Sequence, residues 1–351
     1  MKRILVFVIL ASTIFAACSG GGTTTPSASA AGSAKADTHK PKIGLVTDVG
    51  GLNDKSFNSL ADKGRKEAMA QLLVESQVIE SKQQSDYVPN LTKFAQEKYD
   101  LIIAVGFLMQ NATWKVAKQF PNVKFAIVDG APQDDAGKTE QLPNVANLFF
   151  KEQEAGYLVG VIAATMAKDK VGAATNNTVC AMGGLPIPPV DHFIAGFQDA
   201  VKAVSPTTKV LVGYSQDFVD QQKGKEVGLN HASQGCDIFF QVAGGSGLGY
   251  IAAAKEKGKY AIGVDADQAD VAPGVVITSA LKKVDKAVFN VIRSIRLNEF
   301  KAGDAINNVA NDGVGYGKLD KIVPDNAKKA ADAALADIKS GKITPKDTVA
   351  K

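Results

Sequence analysis

From residue 41 onward, short apolar runs alternate with amphipathic stretches. A continuous run such as residues 43–46 is typical of a strand that a parallel sheet buries on both faces. Loops rich in Gly, Asp and Asn follow the runs and precede stretches with apolar residues at helical spacing. This repeated order of strand, loop and helix indicates an α/β fold.

The pattern predicts about ten strands and a helix after most of them. The predicted strands are residues 42–47, 76–81, 100–106, 123–129, 145–150, 170–175, 208–214, 236–242, 259–264 and 275–280. The predicted helices are residues 54–73, 88–98, 110–119, 151–167, 189–204, 220–233, 248–257, 284–299 and 325–339. For this many strands, two lobes are more economical than one sheet.

The chain is expected to cross between the lobes three times, near residues 147–151, 279–284 and 312–316. Three crossings make a hinge with a cleft, and such clefts close around small molecules. The expected lobes are residues 41–148 with about 281–314, and residues 149–280 with about 315–351.

The N-terminal segment has the layout of a secretory signal. A basic start precedes an apolar run at residues 4–15, which is too short to span a membrane as a mature helix. The small residues directly before Cys18 resemble a bacterial lipobox, so residues 1–17 are expected to be removed and Cys18 to be lipidated. Because Phe15 stands where leucine is usual, plain secretion is the alternative.

Residues 18–40 are expected to form a flexible tether, since residues 19–40 contain no aromatic or β-branched apolar residue that could build a core. Removing the signal lowers the formal net charge from +4 to +2, a balance too mild to suggest a nucleic-acid partner. Cys180 and Cys236 both lie in apolar, strand-like contexts, so buried free thiols are expected, with a disulfide as the alternative.

Residues 43–60 join a predicted buried strand to a helix through a loop crowded with polar groups. Asp48 follows the strand, and ligands of open α/β sheets bind at the carboxyl ends of strands. Asp54 is the better candidate for capping the helix. Phe57 and Asn58 fall in the first helical turns, where a core aromatic needs no carboxamide beside it. The sequence therefore predicts a ligand site here.

Four segments resemble, in the expected order, the basic membrane protein (BMP) family of ABC-transporter substrate-binding lipoproteins, a PnrA-like group that includes purine nucleoside receptor A. They are DVGGLNDKSFN at 48–58, VANLFFKEQEAGYLVG at 145–160, VAGGSGLG at 242–249 and GVDADQ at 263–268. The resemblance spans residues 41 to roughly 320. It implies an α/β fold of the two-lobed type I periplasmic-binding-protein class, in which each lobe is a mostly parallel sheet flanked by helices, with a three-segment hinge.

The resemblance also implies a base held between two phenyl rings, for which Phe57 and Phe218 are the matching residues. Polar groups must then supply specificity, because stacking tolerates any flat ring. The implied contacts are Asp48, Asn58 and Asp129 with the base edge, and Asp265 and Lys282 with the ribose. Gly245 is expected to let backbone approach the ligand, because glycine lacks the side chain that would block it. Lys282 is expected to pair with Asp265.

The implied function is binding without catalysis, cofactor or metal. The ligand would be a purine nucleoside such as guanosine, inosine or adenosine, and the partners an ABC permease and its ATPase. The protein would be a monomer, held by its lipid in a bacterial cell envelope and facing the periplasm or the exterior. Carboxylates without an arginine cluster would repel a nucleotide.

Three alternatives stay open. The first is a receptor for a sugar or another small polar solute, since the architecture serves many ligands. The second is a nucleoside-cleaving enzyme, which would need an Asp cluster holding calcium; residues 265–270 lack the oxygen ligand and the turn glycine of a calcium loop. The third is a purely structural surface lipoprotein.

Overall fold

The structure, a computed structural model, describes residues 39–350. Its strands are β1 (Lys42–Thr47), β2 (Glu75–Glu80), β3 (Leu101–Val105), β4 (Lys124–Val128), β5 (Val145–Phe150), β6 (Thr178–Gly183), β7 (Lys209–Tyr214), β8 (Ile238–Val242), β9 (Tyr260–Asp265), β10 (Val276–Lys282), β11 (Gly303–Asn307) and β12 (Val314–Tyr316). Its helices are α1 (Phe57–Gln71), α2 (Tyr87–Gln96), α3 (Gln110–Gln119), α4 (Glu152–Lys168), α5 (Pro188–Val204), α6 (Gln221–Ser233), α7 (Gly244–Glu256), α8 (Val284–Arg296) and α9 (Asp325–Lys339).

The described strands form two six-stranded sheets. The first has the order β11-β5-β4-β3-β1-β2 and the second the order β12-β10-β9-β8-β6-β7, so each strand has a counterpart at the same place in the other sheet. All named pairings are parallel except β10 with β12. We call the part built on the first sheet the first lobe and the part built on the second sheet the second lobe.

The chain passes between the sheets three times: after β5, after β10, and between β11 and β12. Helix α8 packs on α1 in the first lobe, whereas α4 packs on α5 and α9 in the second. Three crossings of this kind are a usual basis for hinge motion. The exact residues at which the sequence analysis placed the lobe boundaries stay a prediction.

The strand predicted at residues 170–175 is wrong, because this segment forms turns that directly follow helix α4. Lys170 and Gly172 adopt left-handed backbone angles, with φ of +52° and +56°, which an extended strand does not use. The amide of Val171 donates to the carbonyl of Met166 in the last turn of the helix. The strand of this lobe lies at β6, whose residues are all buried.

The expectation that Cys180 and Cys236 are free thiols is also wrong, since the two residues form a disulfide. Cys180 lies in β6, and Cys236 precedes the neighbouring strand β8, with their Cα atoms 6.0 Å apart. This separation is within the usual range for a disulfide. Apolar surroundings fit a buried thiol and a buried disulfide equally well, so the local sequence did not separate the two.

Helices α4 and α5 approach closely enough that glycine is required at their contact. A β-carbon on Gly156 would collide with the carbonyl of Phe193, and one on Gly196 would collide with the carbonyl of Gln153. This approach brings the first turn of α4, which directly follows a crossing between the lobes, against the first turns of α5. Residues from both turns take part in the site described below.

Candidate functional site

A cavity lies between the two lobes, where the carboxyl ends of the parallel strands meet. This is the usual position of a ligand site in open α/β sheets. The lining residues are Asp48, Gly50, Asp54, Phe57, Asn58, Gly106, Phe107, Leu108, Asp129, Ile187, Pro189, Val190, Phe193, Phe218, Val242, Gly244, Val264, Asp265 and Lys282.

Asp48 directly follows β1 and is held by its own loop. One carboxylate oxygen accepts hydrogen bonds from the Asn58 side chain at 2.8 Å and from the Gly50 amide at 2.9 Å. Burial raises the pKa of Asp48 to about 6, although these two hydrogen bonds oppose the shift. Asn58 keeps Oδ1 buried without a partner among the described residues, so an acceptor is left for a ligand.

Asp54 organises the start of α1. Its carboxylate accepts from the backbone amides of Ser56, Asn58 and Ser59 at distances of 2.7 to 3.1 Å. Two unpaired amides of the first helical turn, those of Asn58 and Ser59, are thereby satisfied, so Asp54 caps the helix as the sequence predicted, although Ser56 holds the N-cap position. With its oxygens occupied in this way, Asp54 fixes the position of Phe57 and Asn58 at the cavity.

Lys282 ends β10 and is almost completely buried, with 2% of its side chain exposed. Its ammonium donates to Asp129 at 2.5 Å and to Glu152 at 2.9 Å. The rings of Phe150, Phe57 and Phe193 surround it at 4.9, 5.2 and 5.8 Å. The expected pairing of Lys282 with Asp265 is therefore wrong, because Asp129 of the other lobe lies closer across the cleft.

The charges of this cluster support one another. Burial works to lower the pKa of Lys282, but the carboxylates of Asp129 and Glu152 raise it well above its usual range. Burial raises the pKa of Asp129 against the attraction of Lys282. Burial also works to raise the pKa of Glu152, but Lys282 and then His192 outweigh it and hold that pKa below its usual range. The cluster therefore keeps a charged ammonium at the cavity wall.

Asp129 and Asp265 occupy matching places in the two lobes. Asp129 follows β4 and Asp265 ends β9, the counterpart strand. Both have left-handed backbone angles, with φ of +66° and +60°, and such conformations in residues other than glycine concentrate at functional sites. Burial raises the pKa of Asp265 to about 6, and its Oδ2 accepts from the hydroxyl of Ser56 at 2.6 Å. Asp129 keeps Oδ1 buried and unpartnered among the described residues.

A model of the family described as ABC transporter substrate-binding protein PnrA-like matches residues 40–348. Basic membrane protein A of Borreliella burgdorferi is 32% identical to this chain over 339 residues, covering 95% of this chain and 92% of that protein. The chain belongs to the PnrA-like family.

Further relatives agree with this assignment. An uncharacterized lipoprotein of Pyrococcus furiosus is 34% identical over 329 residues, covering 91% of this chain and 79% of that protein. Among solved structures, an ABC transporter system solute-binding protein of Aeropyrum pernix K1 superposes with a TM-score of 0.80 at 28% identity, covering 87% of this chain and 92% of that one. The predicted fold class, two-lobed with mostly parallel sheets flanked by helices, is confirmed.

Membership in the PnrA-like family implies a small-molecule ligand and a permease with its ATPase as partners. Family and fold are those of solute-binding proteins, which are not enzymes. Within residues 39–350, no helix is both long enough and apolar enough to span a membrane.

Seven of the eight predicted ligand-binding residues of this PnrA-like chain line the cavity, namely Asp48, Phe57, Asn58, Asp129, Phe218, Asp265 and Lys282. The eighth, Gly245, does not; Gly244 lines the cavity instead, while Gly245 packs against the backbone carbonyls of Phe218 and Val219. The predicted lipidation site, Cys18, lies outside the described residues.

Sequence reasoning missed Ser56, Phe193 and Glu152. Ser56 and Phe193 show no distinctive local pattern, since their roles depend on contacts between lobes or helices. Glu152 carried a usable signal: it directly follows the first predicted crossing, and a carboxylate at a hinge is a natural partner for a buried lysine at the next crossing.

Proposed function

We propose that this protein is the extracytoplasmic, lipid-anchored receptor of an ABC importer and that it binds purine nucleosides in the interlobe cavity. The observation that carries the proposal is the combination of one aromatic ring from each lobe, Phe57 and Phe218, with unpartnered buried acceptors in the same cavity. Guanosine, inosine and adenosine all offer a flat ring and several hydrogen-bond donors. Closure around such a ligand would create the shape that a permease reads.

The rings account for the affinity of the flat base. Phe57 and Phe218 both line the cavity and are both partly buried, so each has a face available. Stacking of a base on an aromatic side chain is worth about 1 to 3 kcal/mol per ring by alanine substitution. Two rings from opposite lobes would also couple ligand binding to closure.

The polar groups account for the edge of the base and the ribose. Carboxylates and the carboxamide oxygen of Asn58 accept hydrogen bonds, and a buried acceptor left unpaired costs about 1 to 3 kcal/mol. A ligand that satisfies Asn58 Oδ1 and Asp129 Oδ1 must therefore present N–H or O–H donors. Nucleosides present both kinds, on the base edge and on the ribose.

The charge of the site argues against phosphorylated ligands. Four aspartates line the cavity, whereas Lys282, the cation that lines it, is already paired with Asp129 and Glu152. A phosphate group would meet these carboxylates without a free cation to compensate. We therefore expect nucleosides to bind and the corresponding nucleotides to be rejected.

The membrane attachment in this proposal relies on the N-terminal pattern and on the relatives. Relatives carry names such as uncharacterized lipoprotein and basic membrane protein A. A lipid on Cys18 would hold the receptor at the outer face of the membrane that contains its permease. Labelling with a radioactive fatty acid, compared between the wild type and Cys18→Ala, tests this attachment.

Isothermal titration calorimetry tests the ligand. The purified protein is first unfolded and refolded under oxidising conditions, which keep the Cys180–Cys236 disulfide and remove bound ligand. Guanosine, inosine, adenosine, cytidine, ribose and inosine monophosphate are then titrated in parallel. The proposal requires tight binding of purine nucleosides and no response to ribose or the nucleotide. Binding of sugars without nucleosides would instead identify a sugar receptor.

A further inference from the structure

The ammonium of Lys282 is fixed by two carboxylates from opposite lobes. An ammonium has three N–H donors, and two of them point to Asp129 at 2.5 Å and to Glu152 at 2.9 Å. Two fixed acceptors leave no free rotation about the last bond of the side chain. The direction of the third N–H is therefore set, and no acceptor among the described residues takes it. Lys282 itself lines the cavity.

Glu152 does not line the cavity, and both of its oxygens are occupied. One accepts from Lys282, and the other lies 3.1 Å from Nδ1 of His192. Its side chain is 3% exposed, whereas that of His192 is 31% exposed. Glu152 thus has no contact with a ligand in the cavity, but it determines where the ammonium of Lys282 points.

Asp129 supplies the complementary group. Its Oδ2 accepts from Lys282, and its Oδ1 is buried without a partner among the described residues. The third N–H of Lys282 and the free oxygen of Asp129 therefore form a donor and an acceptor on neighbouring groups. A hydroxyl group matches such a pair, because it accepts one hydrogen bond and donates another.

We propose that Glu152, held by His192, is a positioning residue that aims Lys282 at a ligand hydroxyl and thereby makes the receptor select hydroxylated over deoxygenated solutes. The inference rests on the proposed function, since it assigns the hydroxyl to the ribose of the nucleoside. Removing Glu152 frees the ammonium to turn toward Asp129 alone. The two oxygens of Asp129 then share Lys282, and the acceptor for the hydroxyl is lost.

The test compares inosine with 2′,3′-dideoxyinosine by calorimetry on the purified, ligand-free protein. We expect the wild type to bind inosine about 10-fold to 100-fold more tightly, the range for hydrogen bonds to charged groups. In Glu152→Ala this ratio falls to about 3-fold or less, because only the contact with the hydroxyls weakens. Glu152→Gln keeps an acceptor for Lys282 and restores an intermediate ratio.

Asp237→Ala is the matched control. Asp237 is a fully buried carboxylate of the second lobe that pairs with Lys259 at 2.7 Å, outside the cavity. Its loss removes a buried carboxylate in the same way but leaves the ratio at the wild-type value. If Glu152→Ala does not fold, His192→Ala serves instead, because it frees one oxygen of Glu152 and keeps both carboxylates on Lys282. A smaller drop of the same sign is then expected.

An unchanged ratio in folded Glu152→Ala, or in His192→Ala where that variant replaces it, overturns the inference. The failure of the proposed function looks different, because the wild type then binds no nucleoside at all. In that event ribose and 2-deoxyribose replace the nucleosides in the same comparison. A ratio that again does not respond to Glu152→Ala overturns the positioning role for any hydroxylated solute.

Discussion

The two lobes repeat one topology, but they present different chemistry to the cavity. At the first strand of each sheet, Asp48 follows β1, whereas Gly184 follows the counterpart strand β6. The ring of Phe218 lies against Gly184, where a β-carbon would collide with it. A carboxylate in one lobe thus corresponds to an aromatic surface in the other.

The rest of the lining continues this division. Most polar groups come from the first lobe, and most aliphatic side chains from the second, namely Ile187, Pro189, Val190, Val242 and Val264. Both lobes have an aspartate with a left-handed backbone at the matching position, Asp129 after β4 and Asp265 at the end of β9. A repeated fold can therefore bind an amphipathic ligand by retaining one polar position in both halves and exchanging the others.

Lys282 is the cation that the second lobe contributes against the carboxylates, so its loss is expected to have the largest effect. Lys282→Met leaves Asp129 and Glu152 buried without their partner, which typically costs about 3 to 5 kcal/mol of unfolding free energy. The measurement is urea unfolding at pH 7. The deficit should shrink toward pH 5, because protonated carboxyl groups no longer need a cation.

Lys259→Met provides the comparison for Lys282→Met. Lys259 also pairs with a buried carboxylate of the second lobe, but its side chain is 20% exposed, and Asp237 keeps hydrogen bonds from Asn176. A clearly smaller loss of stability is expected. Equal losses in the two variants would show that the cavity cluster has no special dependence on its cation.

The next effect concerns the rings, one from each lobe. Phe57→Ala and Phe218→Ala should each weaken inosine binding by about 1 to 3 kcal/mol, because each removes one stacking surface. Val219→Ala is the control, since this neighbour of Phe218 is 54% exposed and does not line the cavity. Calorimetry measures all three. Unchanged affinity in both phenylalanine variants would contradict a base held between rings.

Gly184→Ala tests the difference between the lobes without removing a ring. The new methyl group would displace the ring of Phe218 and cost about 1 to 3 kcal/mol of stacking on a ligand base. We expect weaker inosine binding with little change in urea-induced unfolding. Gly315→Ala is the control, because nothing lies within 4 Å of its added β-carbon. Wild-type affinity in Gly184→Ala would show that the position of Phe218 is not critical.

The buried carboxylates make binding depend on pH. Asp48 and Asp265 each have a pKa raised to about 6 by burial. A ligand that donates hydrogen bonds stabilises their ionised forms and lowers these pKa values, so binding releases protons near pH 6. Affinity should fall from pH 7 to pH 5, by up to about 10-fold for each pKa unit lost on binding. Calorimetry in buffers of different ionisation enthalpy measures the proton release.

Without ligand, the raised pKa values of Asp48 and Asp265 determine the direction in which these two residues change the unfolding free energy with pH. The pKa values of Asp48 and Asp265 are higher in the folded protein than in the unfolded chain, so the folded state binds more protons between about pH 4 and pH 6. Their contribution to the unfolding free energy therefore decreases as the pH rises through this window. Asp48→Asn should remove part of that slope, and an unaltered slope would exclude Asp48 as its source.

The sequence predicted most of the central strands, since buried parallel strands carry continuous apolar runs, but it placed no strand at β6. It failed at β11, whose sequence GDAIN carries no apolar run because the strand is exposed at the edge of its sheet. It also failed at residues 170–175, where an apolar run that follows α4 packs on the core in turns and not in extended backbone. An apolar run indicates that a segment is buried, but only the backbone angles show whether that segment is a strand or a turn.

For the site, predictions from the strand ends and the family motifs were accurate: seven of the eight residues predicted to bind ligand line the cavity. The partner of Lys282 was beyond this reasoning. Asp265 was the expected partner, but the arrangement of the lobes places Asp129 and Glu152 on the ammonium. Contacts between lobes depend on their relative position, which no local pattern encodes.

The smallest expected effect concerns one of the hydrogen bonds that join the two lobes directly. The hydroxyl of Ser56 in the first lobe lies 2.6 Å from Asp265 Oδ2 and 3.2 Å from the carbonyl of Val264 in the second. Ser56→Ala removes this link and should destabilise the closed, unliganded form by about 0.5 to 1.5 kcal/mol. Small-angle X-ray scattering should show a larger radius of gyration without ligand and an unchanged one with inosine.

Ser59→Ala is the control for Ser56→Ala, because Ser59 lies three residues further along, in the first turn of α1, and its hydroxyl donates only locally, to the carbonyl of Ser56. It should leave the scattering unchanged. If Ser56→Ala stays as compact as the wild type, closure without ligand does not depend on this hydrogen bond. The other direct contacts, among them the ion pair between Lys282 and Asp129 and the hydrogen bond from Gln268 to the carbonyl of Lys55, would then be sufficient to hold the lobes together.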